Sequence, residues 1–203
     1  MARTGRPRAF DREAALTSAM HLFWEHGYVG TSLDLLRREM GGLSSASLYA
    51  AFGSKEALYR EALQHYLNTH GQVLAVLRDE SIAPRERIHQ ALCNSAHMQT
   101  EDGHPTGCMV TLSATICSDD NASLRAVTAA ERRSNRAAIK QCLLSAVAAG
   151  DLRPDTNIPG LTGMIDGFLT GISIQARDGV SVSELEAGIN AAMQVWDANR
   201  SPA

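Results

Sequence analysis

The sequence predicts an all-α protein of about nine helices. Apolar residues recur at spacings of three and four along most of the 203 residues, and no stretch alternates convincingly with the period of two that a half-buried strand requires. Ser, Thr and Asp residues stand where these periodic segments begin, and glycines stand where several of them end. Apolar residues make up 44% of the chain and charged residues 20%, which excludes a disordered or collagen-like protein.

The helix boundaries follow from capping signals along the chain. Gly27 is expected to end the first helix, and either Thr31 or Ser32 is expected to cap the second. The last helix is expected to begin with a capping box formed by Ser183 and, three residues later, Glu186. The helices after the second are expected at residues 45–51, 54–74, 84–98, 108–117, 119–150, 161–176 and 183–199.

Charge is distributed unevenly. Residues 1–60 carry eight Lys and Arg against six Asp and Glu, whereas residues 61–203 carry eleven against sixteen. A basic N-terminal arm that contains Arg6 and Arg8 indicates a nucleic acid or another polyanion as partner, and a solvated terminus without a partner is the alternative. No apolar run reaches the roughly 18 residues of a membrane span and none follows the arm, so we expect a cytoplasmic protein without a signal peptide or a membrane partner.

Two short expected helices on either side of Gly41-Gly42 form a candidate helix-turn-helix unit. Such a unit places the start of its second helix in the major groove of DNA, while its first helix lies across the backbone. Leu36 and Leu48 are spaced to face the inside of the unit. The serines near the start of the second helix then face outward and offer short hydrogen-bond donors and acceptors.

The segment around this unit carries two motifs that are more specific than a generic helix-turn-helix. The motifs are Phe23-x-x-x-Gly27-Tyr28-x-x-Thr31-Ser32 and Leu43-Ser44-Ser45-Ala46-Ser47-Leu48-Tyr49-Ala50-Ala51-Phe52-Gly53-Ser54-Lys55-Glu56-Ala57-Leu58. Over about residues 8–60 the sequence resembles the DNA-binding domain of TetR/AcrR-type transcriptional regulators. The turn at Gly41-Gly42 holds one residue more than is usual in that family, and Ala50-Ala51 stands where many members have His-Tyr.

The resemblance implies a domain organisation and a function. Residues 1–8 would form a flexible basic arm, residues 9–54 a three-helix DNA-binding domain, and residues 55–203 a larger ligand-binding and dimerisation domain. The chain would be a transcriptional regulator and not an enzyme, and it carries none of the common catalytic motifs. It would act as a repressor that binds a palindromic double-stranded DNA operator as a homodimer. An unknown small-molecule effector would release it from the operator. No cofactor and no metal are expected.

The resemblance also implies which residues meet DNA. Hydroxyl residues at the starts of two helices and a lysine at the start of the next would approach phosphates, and the arm arginines would enter the minor groove. The expected DNA-binding residues are Arg6, Arg8, Thr31, Ser32, Ser44, Ser45, Ala46, Ser47, Tyr49 and Lys55. The alternatives are that Ser44 serves only as a helix cap and that Tyr49 packs in the core of the domain.

The last two helices are the expected dimer interface. Glycine costs about 1 kcal/mol in a helix interior, and several glycines fall on one face of the penultimate helix, where they would let a second backbone approach closely. The resemblance implies a four-helix bundle made from these helices of two subunits. The expected interface residues are Gly163, Gly167, Gly171, Leu185, Ile189, Met193 and Trp196. The alternative is that both stripes pack inside one subunit.

The helices between these regions are expected to surround the effector. The expected ligand-binding residues are Cys93, His97, Met98, Cys108, Met109, Leu112, Met164 and Phe168, and ordinary core packing is the alternative for the apolar ones. Gly107-Cys108 resembles a Gly-Cys motif found in part of the family, so a thiol-responsive regulator that uses Cys108 is an alternative function. A metal-responsive regulator that uses Cys93, His97, His104 and Cys108 is another, and an architectural DNA binder without ligand control is the third.

Overall fold

Helices supply nearly all the regular structure of the described part of the chain, which in this computed structural model is residues 11–115 and 119–202. These residues contain no β-strand, and one isolated bridge joins Leu152 to Arg200. The helices are α1 (Arg12–Gly30), α2 (Leu33–Glu39), α3 (Ser45–Phe52), α4 (Lys55–Asn68), α5 (Pro84–Thr100), α6 (Met109–Leu112), α7 (Ala122–Ala148), α8 (Ile158–Arg177) and α9 (Val182–Asp197), with 3₁₀ segments at His70–Arg78 and Asp119–Asn121. The predicted all-α class, a helix-turn-helix followed by a larger helical domain, is confirmed. Within the described ranges, no helix is both long and apolar enough to cross a membrane.

Short polar side chains define where the first four helices begin. The carboxylate of Asp11 accepts hydrogen bonds from two backbone N–H groups of α1 at 3.0 and 3.1 Å. The hydroxyl oxygens of Ser32, Ser44 and Ser54 each accept one from the first turn of α2, α3 and α4, at 3.1, 3.0 and 3.0 Å. These bonds satisfy N–H groups that have no partner within the helix, so each cap stabilises the helix start at its own position.

The last helix begins two residues earlier than the sequence predicted. Ser181 is its N-cap and Glu184 completes the capping box, whereas the prediction named Ser183 and Glu186. Both pairs have the same spacing, so the local pattern could not distinguish them. The preceding turn decides, because Gly179 there has a φ of 84° and ends α8 close enough for Ser181 to cap α9.

Gly27 ends the first regular stretch of α1, as predicted, because its φ of 70° and ψ of 170° are not helical, and a short stretch continues beyond this kink to Gly30. Two other predicted helices differ in extent. The helix predicted over residues 54–74 ends at Asn68, and a 3₁₀ segment follows Thr69, whose ψ of −92° is not helical. The helix predicted over residues 108–117 is the four-residue α6, and residues 116–118 lie outside the described ranges.

Two clusters of buried side chains hold the helices together. The first joins α1–α4 to α6 and to parts of α5 and α7, and it contains the buried aromatic residues Phe23, Trp24, Tyr59 and Tyr66. The second joins the first 3₁₀ segment to α5, α7, α8 and α9, with Trp196 buried inside it. The helix-turn-helix unit therefore shares its core with residues of the C-terminal domain, and close-packed side chains connect that domain to α1.

Candidate DNA-binding surface and effector cavity

The start of α3 presents a row of short side chains to solvent. Ser44, Ser45, Ala46 and Ser47 are all exposed. Ser44 Oγ accepts a hydrogen bond from the backbone N–H of Ser47 at 3.0 Å and lies 2.9 Å from Ser47 Oγ. The capping role considered for Ser44 is therefore present, and its contact with DNA stays a prediction. Since helix N-termini attract anions, this surface suits the approach of a phosphate or a base edge.

Tyr49 lies on the surface of α3, apart from the core residues of the same helix. It is 45% exposed, whereas Leu48 and Phe52 on the adjacent face are buried. The alternative that Tyr49 packs in the core of the domain is therefore wrong. Because this side chain is exposed, it is accessible to another molecule.

The two hydroxyl residues that precede α2 have different roles. Thr31 is fully buried, and its hydroxyl donates to the backbone oxygen of Gly27 at 2.7 Å and approaches that of Leu22 at 3.1 Å. The prediction that Thr31 meets a phosphate is wrong, because its hydroxyl satisfies backbone carbonyls at the kink in α1. Ser32 is exposed and caps α2, so it remains a candidate for DNA contact.

Lys55 is half-buried at the first position of α4. Its Nζ lies 4.3 Å from the centroid of the Tyr28 ring, a distance at which a cation is attracted to an aromatic face. The contact holds a positive charge next to the N-terminus of α4, where the helix dipole also favours anions. Arg6 and Arg8, the other basic residues predicted to bind DNA, lie outside the described residues.

The turn between α2 and α3 accommodates the additional residue seen in the sequence. Gly41 and Gly42 have φ values of 91° and 75°, a region that strongly favours glycine, and a Cβ at either position would meet nothing within 4 Å. The backbone N–H of Leu43 donates to the Arg37 oxygen, and Arg37 Nε donates to the Leu43 oxygen, both at 3.0 Å. This reciprocal pair of hydrogen bonds ties the end of the turn to α2.

A cavity of about 330 Å³ lies between α4, the first 3₁₀ segment, α5, α6, α7 and α8. Its wall combines apolar side chains, such as Leu67, Leu74 and Leu169, with many polar ones. Met98 and Cys108 are the two predicted ligand-binding residues that line it. The volume is at the lower end of the range of sites that bind small molecules.

Two predicted ligand-binding residues on α5 lie outside this lining, which corrects the prediction. Cys93 is half-buried, with its Sγ 3.7 Å from His89 Nε2, and it packs beside the second core. His97 is on the surface, where its Nε2 lies 2.7 Å from a carboxylate oxygen of Glu186 in α9. Their spacing along α5 directs both side chains away from the cavity, whereas Met98, the next residue after His97, lines it.

Four more predicted ligand-binding residues also lie outside the lining. Met109 is fully buried in the first core, and Leu112 packs so close to Gly107 that a Cβ there would stand 2.6 Å from the Leu112 methyl. Met164 and Phe168 pack against the second core, and the Phe168 ring faces Gly188 of α9. For these residues the alternative of ordinary packing is correct, because each fills space between helices.

The predicted metal set is not brought together either. Cys93 lies beside His89 on α5 and His97 beside Glu186 of α9, whereas Cys108 lines the cavity. His104 instead lies next to His70 and Glu101, which are not among the predicted ligands. In the part of the chain that the structure describes, this trio is the single group of three or more metal-ligating side chains within coordination reach.

A buried amide in the cavity wall has one atom without a partner. Gln99 is 1% exposed, and its Nε2 donates to Ser95 Oγ at 2.5 Å. Its Oε1 has no hydrogen-bond partner among the described residues. A buried acceptor left in this state costs about 1–3 kcal/mol, so a donor group of a bound molecule would be favoured there.

The described cysteines differ in their surroundings. The Tyr66 hydroxyl donates to Cys108 Sγ at 3.3 Å, and burial, together with the neighbouring sulfur, raises the pKa of Tyr66 well above its ordinary value. Burial also raises the pKa of the Cys93 and Cys142 thiols, which therefore stay protonated at neutral pH. Cys108 is the described cysteine that a molecule in the cavity would meet, and Cys117 lies outside the described residues.

Polar contacts fasten the second half of α1 to the C-terminal domain. Arg177, at the end of α8, donates to the backbone oxygen of Trp24 at 2.9 Å. The indole N–H of Trp24 donates to the backbone oxygen of Gly107 at 3.1 Å. The backbone N–H of Tyr28 donates to the backbone oxygen of Ser113 at 2.8 Å. This junction was not predictable from the sequence, because an arginine in the last turn of a helix is common and gives no indication of its partner.

The apolar stripe of α9 faces the interior. Leu185, Ile189, Met193 and Trp196 are each 3% exposed or less and belong to the second core. The prediction that these four residues form a dimer interface is therefore wrong. A single subunit already buries them against its own helices, which is the internal packing considered as the alternative.

The outer faces of α8 and α9 carry small and apolar residues. Gly167 is exposed, and a Cβ there would meet nothing within 4 Å, while Gly163 and Gly171 are half-exposed. Ile174 on α8 is 50% exposed and Val195 on α9 is 42% exposed. The glycines of the predicted interface are thus accessible on the subunit surface, unlike the stripe of α9.

Two protein families match separate parts of the chain. Residues 15–62 match the family described as "Bacterial regulatory proteins, tetR family". Residues 84–191 match the family described as "Tetracyclin repressor-like, C-terminal domain". The first match ends within α4, and the second begins with α5 and reaches into α9.

Individual proteins resemble the chain over almost its whole length. The HTH-type transcriptional repressor ComR of Escherichia coli is 30% identical over 197 residues, which cover 95% of this chain and 91% of that protein. A cysteine mutant of the TetR family transcriptional regulator CifR, solved with 26-base-pair operator DNA, is 38% identical with a TM-score of 0.86, and the match covers 95% of this chain and 100% of that one. A TetR transcriptional regulator from Chloroflexus aurantiacus has a TM-score of 0.80 and covers 95% of this chain and 96% of its own, but at 23% identity it shows a likeness of fold alone.

Proposed function

Because the chain belongs to the TetR family of DNA-binding transcriptional regulators, we propose that it is a repressor that binds a palindromic operator as a homodimer and is released by a small-molecule effector. The observation that carries this proposal is the exposed start of α3, where three serines and Tyr49 stand on a capped helix. The similar regulator CifR was solved with operator DNA, which supports the same use of this surface here.

The proposed DNA contacts are of two kinds. Ser45, Ala46, Ser47 and Tyr49 on α3 would face the major groove and the adjacent backbone. Ser32 and Lys55, at the starts of α2 and α4, would approach phosphates, and the arm arginines would add contacts from outside the described residues. Since Ala50-Ala51 offers no long polar side chain, phosphate contacts would supply a large share of the affinity, and binding would fall steeply with salt.

The proposed dimer uses the outer faces of α8 and α9. One helix-turn-helix reads a short half-site, so two subunits are needed to read half-sites about 34–36 Å apart or a multiple of it. A partner helix could approach closely at the exposed Gly167 and the half-exposed Gly171. The exposed Ile174 and Val195 would bury apolar surface against this helix.

Release of the protein from its operator would begin when an effector binds in the cavity. A molecule that fills it would contact Met98 and could donate a hydrogen bond to the unpaired oxygen of Gln99. The cavity wall continues into α8, where Arg177 contacts the backbone of α1. A shift of α8 would therefore move α1 and the attached α2–α3 unit, and this couples effector affinity to operator affinity.

The first experiment measures binding to the DNA upstream of the chain's own coding sequence and to random DNA, at several salt concentrations. We expect a single palindromic site bound about a thousandfold more tightly than random DNA. Tyr49→Ala should weaken specific binding about tenfold or more, whereas Leu144→Ala, which changes an exposed residue of α7, should leave it unchanged. Equal affinity for both DNAs, in this region and in a genomic selection, would contradict the proposal.

A thiol-responsive regulator is the second candidate, and the position of Cys108 favours it. Its sulfur lines the cavity and accepts a hydrogen bond from Tyr66. Alkylation with N-ethylmaleimide should then release the wild-type protein from its operator and leave a Cys108→Ser variant bound. Release of both proteins by the reagent would exclude Cys108 as the responsive thiol.

A further inference from the structure

Three side chains that are distant in sequence meet beside α1. His70 is the first residue of the first 3₁₀ segment, Glu101 follows the end of α5, and His104 lies in the loop before α6. One ligand atom from each lies within 4.8 Å of the others. The rings of His70 and His104 are close neighbours, with centroids 4.4 Å apart.

The two ring nitrogens of His104 have contacts that are compatible with metal binding. Its Nδ1 lies 3.0 Å from the backbone oxygen of Pro105, and its Nε2 lies 3.1 Å from Glu101 Oε1. A neutral imidazole carries one N–H, so it can donate to only one of these acceptors. In the tautomer whose Nδ1–H donates to the carbonyl, the Nε2 lone pair is available to a metal ion that the carboxylate of Glu101 can also reach. Donation of the other ring N–H to a backbone carbonyl is the usual arrangement for a metal-ligating histidine.

The protein also holds the His104 ring in place. The side chain is 4% exposed and stacks on Trp24, with centroids 4.6 Å apart and ring planes 18° from parallel. His70 packs against the same indole at 5.1 Å. The carboxylate of Glu101 remains accessible to solvent, so an ion can enter from that side.

We propose that His70, Glu101 and His104 bind a divalent transition-metal ion of the zinc type. Two imidazole nitrogens and one carboxylate oxygen suit Zn²⁺, Ni²⁺ or Cu²⁺, whereas Mg²⁺ and Ca²⁺ select sets made of oxygen. Three protein ligands leave a fourth position open to water or to another molecule. Ligand atoms around a tetrahedral zinc stand about 3.4 Å apart, so binding draws the 3₁₀ segment and the loop of Glu101 and His104 together by about 1 Å.

The site has a direct connection to the helix-turn-helix unit. The loop that carries Glu101 and His104 continues to Gly107, whose backbone oxygen accepts the indole N–H of Trp24 at 3.1 Å. Trp24 belongs to α1, which packs on α2 and α4. The metal would therefore fasten α1 to the C-terminal domain and change operator affinity, a consequence that rests on the proposed function.

Zinc uptake tests the site. The full-length protein is stripped with a chelator and titrated with Zn²⁺, and with Mg²⁺ as a separate control. We expect one zinc and no magnesium per chain. Glu101→Gln changes an exposed residue and His104→Gln a buried one, and each should weaken zinc binding about tenfold or more. His89→Gln, which alters a histidine about three turns away on α5, should leave it unchanged.

Either of two results would overturn the site. One is the absence of zinc uptake by the wild-type protein. The other is undiminished uptake by the well-folded Glu101→Gln variant, which would place any bound zinc on other residues, such as the thiols.

Operator binding with and without one equivalent of zinc tests the regulatory consequence. We expect a change of about fivefold or more that Glu101→Gln abolishes. Unchanged operator affinity in the zinc-loaded protein would refute the coupling and leave the metal site standing. A protein that binds no operator in either state would refute the proposed function, while zinc uptake would still decide the site.

Discussion

Gly107→Ala is expected to lower the free energy of unfolding by about 2–5 kcal/mol. Gly107 has a φ of 80°, and an L-residue in that region costs about 1–2 kcal/mol. A Cβ at this position would also stand 2.9 Å from the backbone oxygen of Ser173 in α8 and 2.6 Å from a methyl of Leu112. The methyl can rotate away but the carbonyl cannot, so the segment or α8 must shift, and such overpacking adds about 1–3 kcal/mol.

Gly150→Ala supplies the matched control. Gly150 has a φ of 81°, and a Cβ there would meet nothing within 4 Å. Gly150→Ala should therefore lower the free energy of unfolding only by the conformational cost of about 1–2 kcal/mol. Urea unfolding at one fixed protein concentration measures both variants, since dimerisation would make stability depend on concentration. The excess loss for Gly107→Ala corresponds to about 2–12 °C in Tm. Equal losses in the two variants would refute the close approach of α8 to the Gly107 segment.

Three further predictions concern the α3 surface, the dimer and pH. In urea titrations, Leu48→Ala should lower the free energy of unfolding by about 2–5 kcal/mol and Tyr49→Ala by less than about 1 kcal/mol, because only Leu48 is buried. Similar losses in the two variants would contradict this orientation of α3. Ile174→Glu should convert the dimer to a monomer in sedimentation velocity, whereas Leu144→Glu on α7 should not; a dimer that survives Ile174→Glu would place the interface elsewhere. Burial, together with the neighbouring histidines, lowers the pKa of His21, so the unfolded chain binds a proton at this residue more readily than the folded chain does. The free energy of unfolding should therefore fall as the pH falls below about 6.5. His21→Gln should reduce this fall, and an unchanged dependence of the free energy of unfolding on pH would disprove the assignment.

The helix starts were predictable because their signals are local. Ser32, Ser44 and Ser54 each bond to a backbone N–H three residues away, so the chemistry that begins the helix lies within a single turn of sequence. The same locality explains the error at the last helix, where two Ser-x-x-Glu pairs overlap within six residues. A local rule recognises both pairs, and only the turn at Gly179 selects between them.

The orientation of an apolar stripe was not predictable. Leu185, Ile189 and Met193 have the spacing of one buried face, but that spacing is the same whether the covering surface belongs to the same subunit or to a partner. Thr31 shows the same limit on a smaller scale. Two adjacent hydroxyl residues precede α2, and the kink at Gly27 determines which one turns inward.

The sequence by itself determined the helical class, the positions of the capped helices and the family resemblance, because all three reside in short stretches of neighbouring residues. The tertiary structure alone decided what lies between them: the wall of the cavity, the contact of Arg177 with α1, and the meeting of His70 with Glu101 and His104. These contacts join residues that are 31 to 153 positions apart in the chain. No local pattern encodes them, because they depend on how whole helices pack against one another.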